Sequence, residues 1–379
     1  YSPYIVYDLD GDGKAEVAVK TAGKDFVRDD IGRVLSGQEF LTIYDGMSGK
    51  KITQTDWIPR SLRLGNYVRT NRNQMGVAFL DGKTPFLLIE RGTYKAMFLE
   101  AYTFRNKKLQ KRWRWDGDEE NPLVRHQGAH YIQCADVDND GREEVILGSV
   151  IIDDTGDALW STGYGHPDKC YVTDILPGRA GLEIFYCIED IHEDGNGVVL
   201  VDAVNGETIW SIGHKTIHVG SGMVADIMPE HPGLECWAGE DPKAGSRDTY
   251  MLSAEGKYLA RNKGVPSTGG WLFWDADLLK EHVEWNQRAG RDMPGSSVVK
   301  YDGKVYPGQI EGRVNTVLDL FGDWREEIVA VLPGELRIYT TTIEARDRRV
   351  TLLQDPVYRA TVAHFSMGYH QPPMTSYYM

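Results

Sequence analysis

The feature that most constrains this chain is a unit that recurs along it: an apolar strand, an Asp-bearing turn, and a second apolar strand closed by an acidic residue. It runs from Asp8 to Glu16, Asp136 to Glu144, Asp174 to Glu183, Asp226 to Glu235 and Asp319 to Glu327, with weaker echoes at Asp81 and Asp275. From Asp81 onward the intervals are 55, 38, 52, 49 and 44 residues, near the ~40–50 expected of a propeller blade. A second hairpin alternates with the first, turning through Gly towards an aromatic: LTIYDGMSGKKI, VIIDDTGDALW, VVLVDAVNGETIW, TYMLSAEGKYL and, without the Gly, AYTFRNKKLQKRW. Two hairpins make a four-stranded blade. The expectation is an all-β fold, a β-propeller of seven or eight blades, spanning 1–379 as a single domain. One short helix is expected as an insertion, over DLLKEHVEW from Asp277 to Trp285.

Composition agrees. Glycine (41 residues) and aromatics (11%) are plentiful in the 379 residues, as many short strands and tight turns require. The formal charge is -14 and no basic patch interrupts it, so nucleic acid is not an expected partner. An acidic ligand remains compatible if divalent cations lie between the two. No apolar run reaches the ~20 residues that cross a bilayer, so no membrane partner is expected. Cys134, Cys170, Cys187 and Cys236 form no C-x-x-C pair and read as buried thiols rather than a zinc site. The opening Tyr1 to Tyr7 reads as mid-strand, which places the natural N-terminus and any signal peptide upstream.

Asp8, Asp10, Asp12 and Glu16 stand at relative positions 1, 3, 5 and 9, with Gly13 at position 6. That pattern suits calcium, which takes six to eight oxygens, and the Lys14 carbonyl would complete the set. Asp136, Asp138, Asp140 and Glu144 repeat it around Gly141. The competing reading, side-chain-to-backbone turns alone, leaves clustered carboxylates repelling one another. The turns at Asp174 and Asp226 lack the intermediate carboxylates and are expected to be plain turns. At Asp319 an Asp323–Arg325 turn and a cation are equally compatible. More dispersed are His130, His166, Asp168 and Glu189. On a propeller their segments face the channel of adjacent blades, and such a set binds zinc, manganese or calcium.

DLDGDGKAEVAVKTA, VLSGQEFLTIYDG, GVAFLDG, ERGTYKAM, CADVDNDGREEVILGS, STGYGH, MVADIMPEHPGLECWA, DLFGDWREEI, LRIYTTTI and QDPVYR together resemble polysaccharide lyase family 11, the rhamnogalacturonan lyases, from the first residue to the last. The resemblance implies an eight-bladed propeller with several calcium ions, its first blade and an N-terminal β domain lying upstream. It implies secretion to the periplasm, cell surface or medium, an acidic pectic polysaccharide as partner, and cleavage of rhamnogalacturonan I by β-elimination. It also implies that His130, His166, Asp168 and Glu189 ligate one ion, expected to be calcium. A monomer is expected.

Several cleft motifs depart from the family. G-N-R-V-D-R appears as Tyr67-Val68-Arg69-Thr70-Asn71-Arg72, G-H-G-D-A as Gly165-His166-Pro167-Asp168-Lys169, and V-G-R-G as Val219-Gly220-Ser221-Gly222. N-G-T-K appears as Gly308-Gln309-Ile310-Glu311, and Y-N-Q-P-P as Tyr369-His370-Gln371-Pro372-Pro373. The pattern predicts an altered substrate or mechanism. Arg69, Asn71, Arg72 and Lys169 are the expected substrate-binding residues. The catalytic base is expected among Lys169, Arg72, His370 and Glu311, the last beside Arg313. Two other functions fit the same scaffold: a glycoside hydrolase using Glu311 and a second carboxylate, and a carbohydrate-binding protein without catalysis.

Overall fold

A computed structural model describes residues 2–32, 34–65, 68–120, 124–285, 295–367, 369 and 371–379. The chain is nearly all-β, built of many antiparallel sheets. Its packing separates into two compact units, one comprising Tyr1–Pro167, Val204–Gly206 and Ala363–His370, the other Asp168–Ala203, Glu207–Val362 and Gln371–Met379.

The first unit holds three four-stranded sheets. Strands Tyr4–Tyr7, Glu16–Ala22, Glu39–Asp45 and Lys51–Asp56 form one, with the small hairpin Val27–Arg28/Val34–Ser36 inserted between its second and third strands. Asn73–Ala78, Phe86–Gly92, Met97–Arg105 and Lys108–Asp116 form the next, and Gly128–Ala135, Glu144–Gly148, Val150–Ile152 and Ala158–Ser161 the third. Leu88, Leu99, Trp115, Ile132, Val145 and Ile152 belong to one buried cluster. Each large apolar side chain buried there contributes roughly 1.5–3 kcal/mol.

The second unit contains two four-stranded sheets, Pro167–Thr173/Glu183–Ile188/Val198–Asp202/Thr208–Ser211 and Val219–Ala225/Glu235–Glu240/Thr249–Leu252/Tyr258–Arg261. Two three-stranded sheets follow, Trp271–Leu272/Glu281–Trp285/Ser296–Val299 and Arg313–Leu318/Glu327–Leu332/Glu335–Tyr339. Phe185, Leu200, Met223, Trp237, Tyr250 and Trp271 anchor one of its core clusters. All four cysteines are buried thiols outside any disulfide, as expected.

The acidic residue of the recurrent unit proves to be the first residue of its second strand. Glu16 accepts the Leu9 amide at 3.0 Å, Glu144 that of Val137 at 2.8 Å, Glu183 that of Ile175 at 2.9 Å and Glu235 that of Ile227 at 2.9 Å. Glu281 and Glu327 do the same for Trp274 at 3.0 Å and Leu320 at 2.9 Å. Each carboxylate thus satisfies an amide that the tight turn leaves without a strand partner. The alternating hairpins also form, and their aromatics bridge sheets. Trp113 donates from Nε1 to the Asp154 carbonyl at 2.9 Å, and Trp210 to that of Ala254 at 2.8 Å. A Cβ at Gly156 would lie 2.7 Å from the Trp113 ring, and one at Gly256 2.6 Å from Trp210. With φ of 95° and 81° as well, both turns demand glycine.

One element differs from expectation. Glu281–Trp285 is a strand, pairing His282 with Val299 and Val283 with Val298, where a helix was predicted over Asp277 to Trp285. Leu278, Leu279 and Val283 mimic a helical stripe, but the Glu281 carboxylate is needed to close the Asp275 turn, and that closure extends the backbone. An eight-residue helix lies instead at Pro356–Ala363. Among the described residues no helix is long and apolar enough to cross a membrane.

Candidate functional site

In the first acidic turn Asp8 accepts the amides of Gly11, Asp12 and Gly13 at 2.8, 3.1 and 2.9 Å, and Asp12 accepts that of Lys14 at 2.9 Å. One oxygen each of Asp8, Asp10 and Glu16 lie within 4.8 Å of one another. Gly13 has φ of 87°, the left-handed turn expected at position 6. The Oδ1 of Asp10 is buried without a hydrogen-bond partner. Burial, with Asp10, Asp12 and Asp8 adding to it, raises the Glu16 carboxyl above the usual carboxylate range. The second turn repeats the arrangement: Asp136, Asp138 and Glu144 converge, the Glu144 Oε1 is buried and unpartnered, and Gly141 has φ of 88°. Asp140 accepts the Arg142 amide at 2.8 Å. Burial and the neighbouring Asp residues push Glu144 up to about 8. Orphaned, mutually repelling oxygens are a donor set that fits a hard divalent cation.

The other turns carry their own balance. Arg179 pairs with Glu183 and Asp202, and Tyr378 donates to Asp226 at 2.5 Å. Lys300 lies 3.2 Å from Asp275, 2.5 Å from Asp277 and 3.2 Å from Glu281. At Asp319 the ion pair Asp323–Arg325 forms, while Asp319 accepts from Gly322, Trp324, Thr351 and Leu352.

The dispersed residues are shared between the two compact units. In the first unit His130, on strand Gly128–Ala135, and His166 are both buried, with their Nε2 atoms 3.0 Å apart. The Nδ1 of His166 donates to the Gly128 carbonyl, an acceptor only, so its proton sits there and its Nε2 presents a lone pair. Arg72, which can only donate, approaches the His130 Nε2 from Nη1 at 3.0 Å, so that nitrogen too presents its lone pair. Two imidazole lone pairs facing one space are chemically suited to a shared cation. Tyr94 packs on His166 with ring centroids 4.4 Å apart, Tyr369 on His130 at 3.9 Å, and the Arg72 guanidinium stands 5.7 and 5.8 Å from the Tyr94 and Tyr369 rings. Glu90 is 1% exposed, and burial holds its carboxyl well above the usual range while Arg72 and Gln74 act the other way.

In the second unit Asp168 on strand Pro167–Thr173 and Glu189 just beyond Glu183–Ile188 are joined by a residue that spacing did not suggest, His218. Its Nε2 is 3.0 Å from Asp168 Oδ2 and its Nδ1 3.9 Å from Glu189 Oε1. The only sequence signal was its place directly before the altered Val219-Gly220-Ser221-Gly222 run. Ser221, where the family has arginine, donates to the Gly239 carbonyl at 3.1 Å. Burial lowers the Lys169 ammonium below the usual lysine range, with Asp168 opposing the shift.

Of the remaining candidates, Asn71 donates to the Gly65 carbonyl at 3.3 Å and Arg69 is exposed on the turn Val68–Asn71. Glu311 is exposed and ion-paired with Arg337, and its backbone amide donates to the Tyr339 hydroxyl at 3.0 Å. His370 lies outside the described residues. Its neighbour Gln371 clamps Cys170, accepting its amide at 3.3 Å and donating to its carbonyl at 2.8 Å.

Comparison with known proteins gives these features a family. The chain matches the C-terminal domain of rhamnogalacturonan lyase family 11 over residues 1–379. Rhamnogalacturonan endolyase YesW of Bacillus subtilis (strain 168) is 39% identical over the whole chain, which spans 63% of that protein; rhamnogalacturonan exolyase YesX of the same strain is 37% identical, with 67% spanned. The crystal structure of exotype rhamnogalacturonan lyase YesX superposes over all of this chain and 68% of its own with a TM-score of 0.88 at 35% identity. The Bacillus licheniformis rhamnogalacturonan lyase PL11 covers all of this chain and 67% of its own, with a TM-score of 0.83 at 34% identity. The relatives matched are rhamnogalacturonan lyases, of which the chain spans about two thirds. The chain belongs to rhamnogalacturonan lyase family 11.

Proposed function

We propose that this chain is the catalytic region of a secreted, monomeric polysaccharide lyase that cleaves rhamnogalacturonan by β-elimination. The observation that carries the reading is the pair of facing His130 and His166 lone pairs beside Arg72, in a chain that matches the family throughout. The sheets are read as blades of one β-propeller, eight by family resemblance. Calcium is assigned to the Asp8 and Asp136 turns, as a structural staple. A divalent cation is assigned to His130, His166, Asp168 and Glu189.

The reaction removes the C5 proton of a uronate, forms a C4–C5 double bond from that electron pair, and expels the C4 oxygen, which takes a proton. A cation bound at this centre would supply Lewis-acid neutralisation of the uronate carboxylate. Arg72 supports that role with a guanidinium suited to bidentate pairing, and Arg69, Asn71 and Lys169 are assigned to orienting the polymer. Arg72, Lys169, Glu311 and His370 are the candidate bases.

The test is incubation with rhamnogalacturonan I and other uronate polymers, with and without a chelator, following ultraviolet absorbance of the unsaturated uronate and, separately, new reducing ends. Both signals rise for a lyase. Reducing ends without absorbance would make the protein a hydrolase, and neither signal with retained polymer binding would make it a carbohydrate-binding protein. Ser221 and Glu311, standing where the family carries arginine and lysine, favour that last reading as the second one.

A further inference from the structure

We propose that a groove on the flank of the first unit, between its second and third four-stranded sheets, is a non-catalytic site for a uronate-bearing stretch of polysaccharide. The class of ligand rests on the lyase reading above, but the site is separate from the centre assigned to cleavage. The groove measures about 640 Å3, within the ~300–1,000 Å3 usual for ligand sites. It lies among the turns that carry Asp81 and Arg142, which follow strands Asn73–Ala78 and Gly128–Ala135. Arg72 and His130 stand where those same strands begin, so the groove and the histidine site occupy opposite ends of their sheets.

One wall is the edge strand Lys108–Asp116, which a β-bulge distorts. Gln110 stands opposite Thr103 and Trp113 opposite Ala101, with Arg112 inserted between Lys111 and Trp113. Thr103 and Ala101 share a face of the sheet, so Gln110 and Trp113 share it too, although residues three apart on a regular strand point oppositely. Lys111 belongs to the other face, where it pairs with Glu100 at 2.7 Å. Arg112 lines the groove, is exposed, and forms no ion pair among the described residues. Across from it Arg142 is held to Asp154 at 2.9 Å. The two sheets are tied beneath the groove, for the Phe79 amide donates to Glu143 at 2.7 Å and the Glu143 amide to the Phe79 carbonyl at 3.2 Å. The walls are therefore set before any ligand arrives, which lowers the cost of binding one.

The lining suits an acidic sugar. Half-buried Trp113 and buried Phe86 supply apolar surface for the face of a sugar ring. The Gln110 amide and the Thr103 hydroxyl offer donors and acceptors to its hydroxyls, and the Arg112 guanidinium offers the paired donors that a uronate carboxylate takes. Charge points the same way. Lys107, Lys108, Lys111, Arg112 and Arg114 fall within eight consecutive residues that include no acidic one, in a chain of formal charge -14. The summed charge concealed this basic strand, which corrects the expectation that no basic patch interrupts it. An acidic polymer is drawn to the strand while the chain as a whole repels it.

The experiment takes Arg72→Gln as the parent, to slow consumption of the polymer, and adds Arg112→Glu or Gln110→Ala to it. Retardation in gels containing rhamnogalacturonan I gives the dissociation constants, and thermal melts verify folding of these surface variants. Ultraviolet absorbance with the wild-type protein records cleavage separately. Arg112→Glu should weaken binding roughly tenfold, the scale of one lost charge-assisted hydrogen bond, and Gln110→Ala by a smaller factor. The same polymer with its carboxyl groups reduced should bind the parent as weakly as the native polymer binds the Arg112→Glu variant. Dissociation constants equal to the parent's in both variants would overturn the groove as a site, whether or not the wild type cleaves. Equal binding of native and carboxyl-reduced polymer, or displacement of the polymer by inorganic phosphate at matched ionic strength, would overturn the uronate as its ligand. Binding that depends on Arg112, with no unsaturated product from the wild type, would support the groove and sink the lyase reading alone.

Discussion

The Arg72 guanidinium donates from Nη1 to the Nε2 of His130 across 3.0 Å, at a nitrogen that also faces His166 at the same distance. An imidazole nitrogen has one lone pair in the ring plane, so a cation bound there would compete with Arg72 for it. On the proposed function, loading of the centre would release the guanidinium for the substrate carboxylate.

Arg72→Gln is expected to lower kcat/KM on rhamnogalacturonan I by roughly 10²-fold, the scale of losing one charged group that stabilises the transition state. The same variant should bind metal at least as tightly as wild type, because the competitor for His130 is gone. Steady-state kinetics and calorimetric titration check both halves, and wild-type kcat/KM would remove Arg72 from the site.

Chelation should lower the melting temperature of the folded chain without unfolding it at room temperature. Occupied at about 100 times its dissociation constant, each calcium turn contributes about 2.7 kcal/mol. Glu16→Gln and Glu144→Gln, which remove the carboxylates closing those turns, should each blunt the calcium-dependent rise in melting temperature. Scanning calorimetry with and without calcium reads this directly; equal calcium responses in wild type and both variants would leave the turns without a cation.

Lys300 occupies, in its own turn, the place that a cation would take among Asp275, Asp277 and Glu281. Lys300→Met strands those carboxylates and should cost about 3 kcal/mol, as breaking a buried ion pair does. It should also give the variant a larger calcium-dependent gain in melting temperature than wild type. Denaturant titration with and without calcium tests this, and a variant as stable as wild type in the absence of calcium would contradict it.

His364 sets an acid limit on stability. It is buried, accepts the Val77 amide at Nε2 across 2.8 Å and donates from Nδ1 to the Ile132 carbonyl at 2.9 Å. Burial lowers its pKa to about 4, from 6.5. The unfolded chain therefore binds the proton more readily between those values, and stability falls as the pH drops from 6.5 towards 4, by about 3 kcal/mol from this group. His364→Gln should be less stable at neutral pH and show a flatter slope in that window. An unchanged slope in equilibrium unfolding would exclude His364 as its source.

The recurrent Asp-turn hairpins were legible because each is local: the acid and the amide it accepts are six to eight residues apart, as in Trp274–Glu281 and Ile227–Glu235. The Gly-bearing hairpins were legible for the same reason. The segment from Asp277 to Trp285 was misread because a short apolar run with spacing near 3.6 is ambiguous between helix and strand. Its pairing with Val298 and Val299 lies beyond any local window. His130 and His166, 36 residues apart, were grouped in the sequence by the blade repeat and then by the family resemblance, since no local spacing joins them.

The sequence by itself determined the all-β character, the hairpin repeat, the two acidic turns and membership of the lyase family, since these depend on neighbouring residues or on ordered motifs. Tertiary structure alone decided that Lys300 and Arg179 neutralise their turns, that Arg72 shares the lone pair of His130, and that His218 stands beside Asp168 and Glu189. Charge and lone pairs act through space, over distances that chain spacing does not encode.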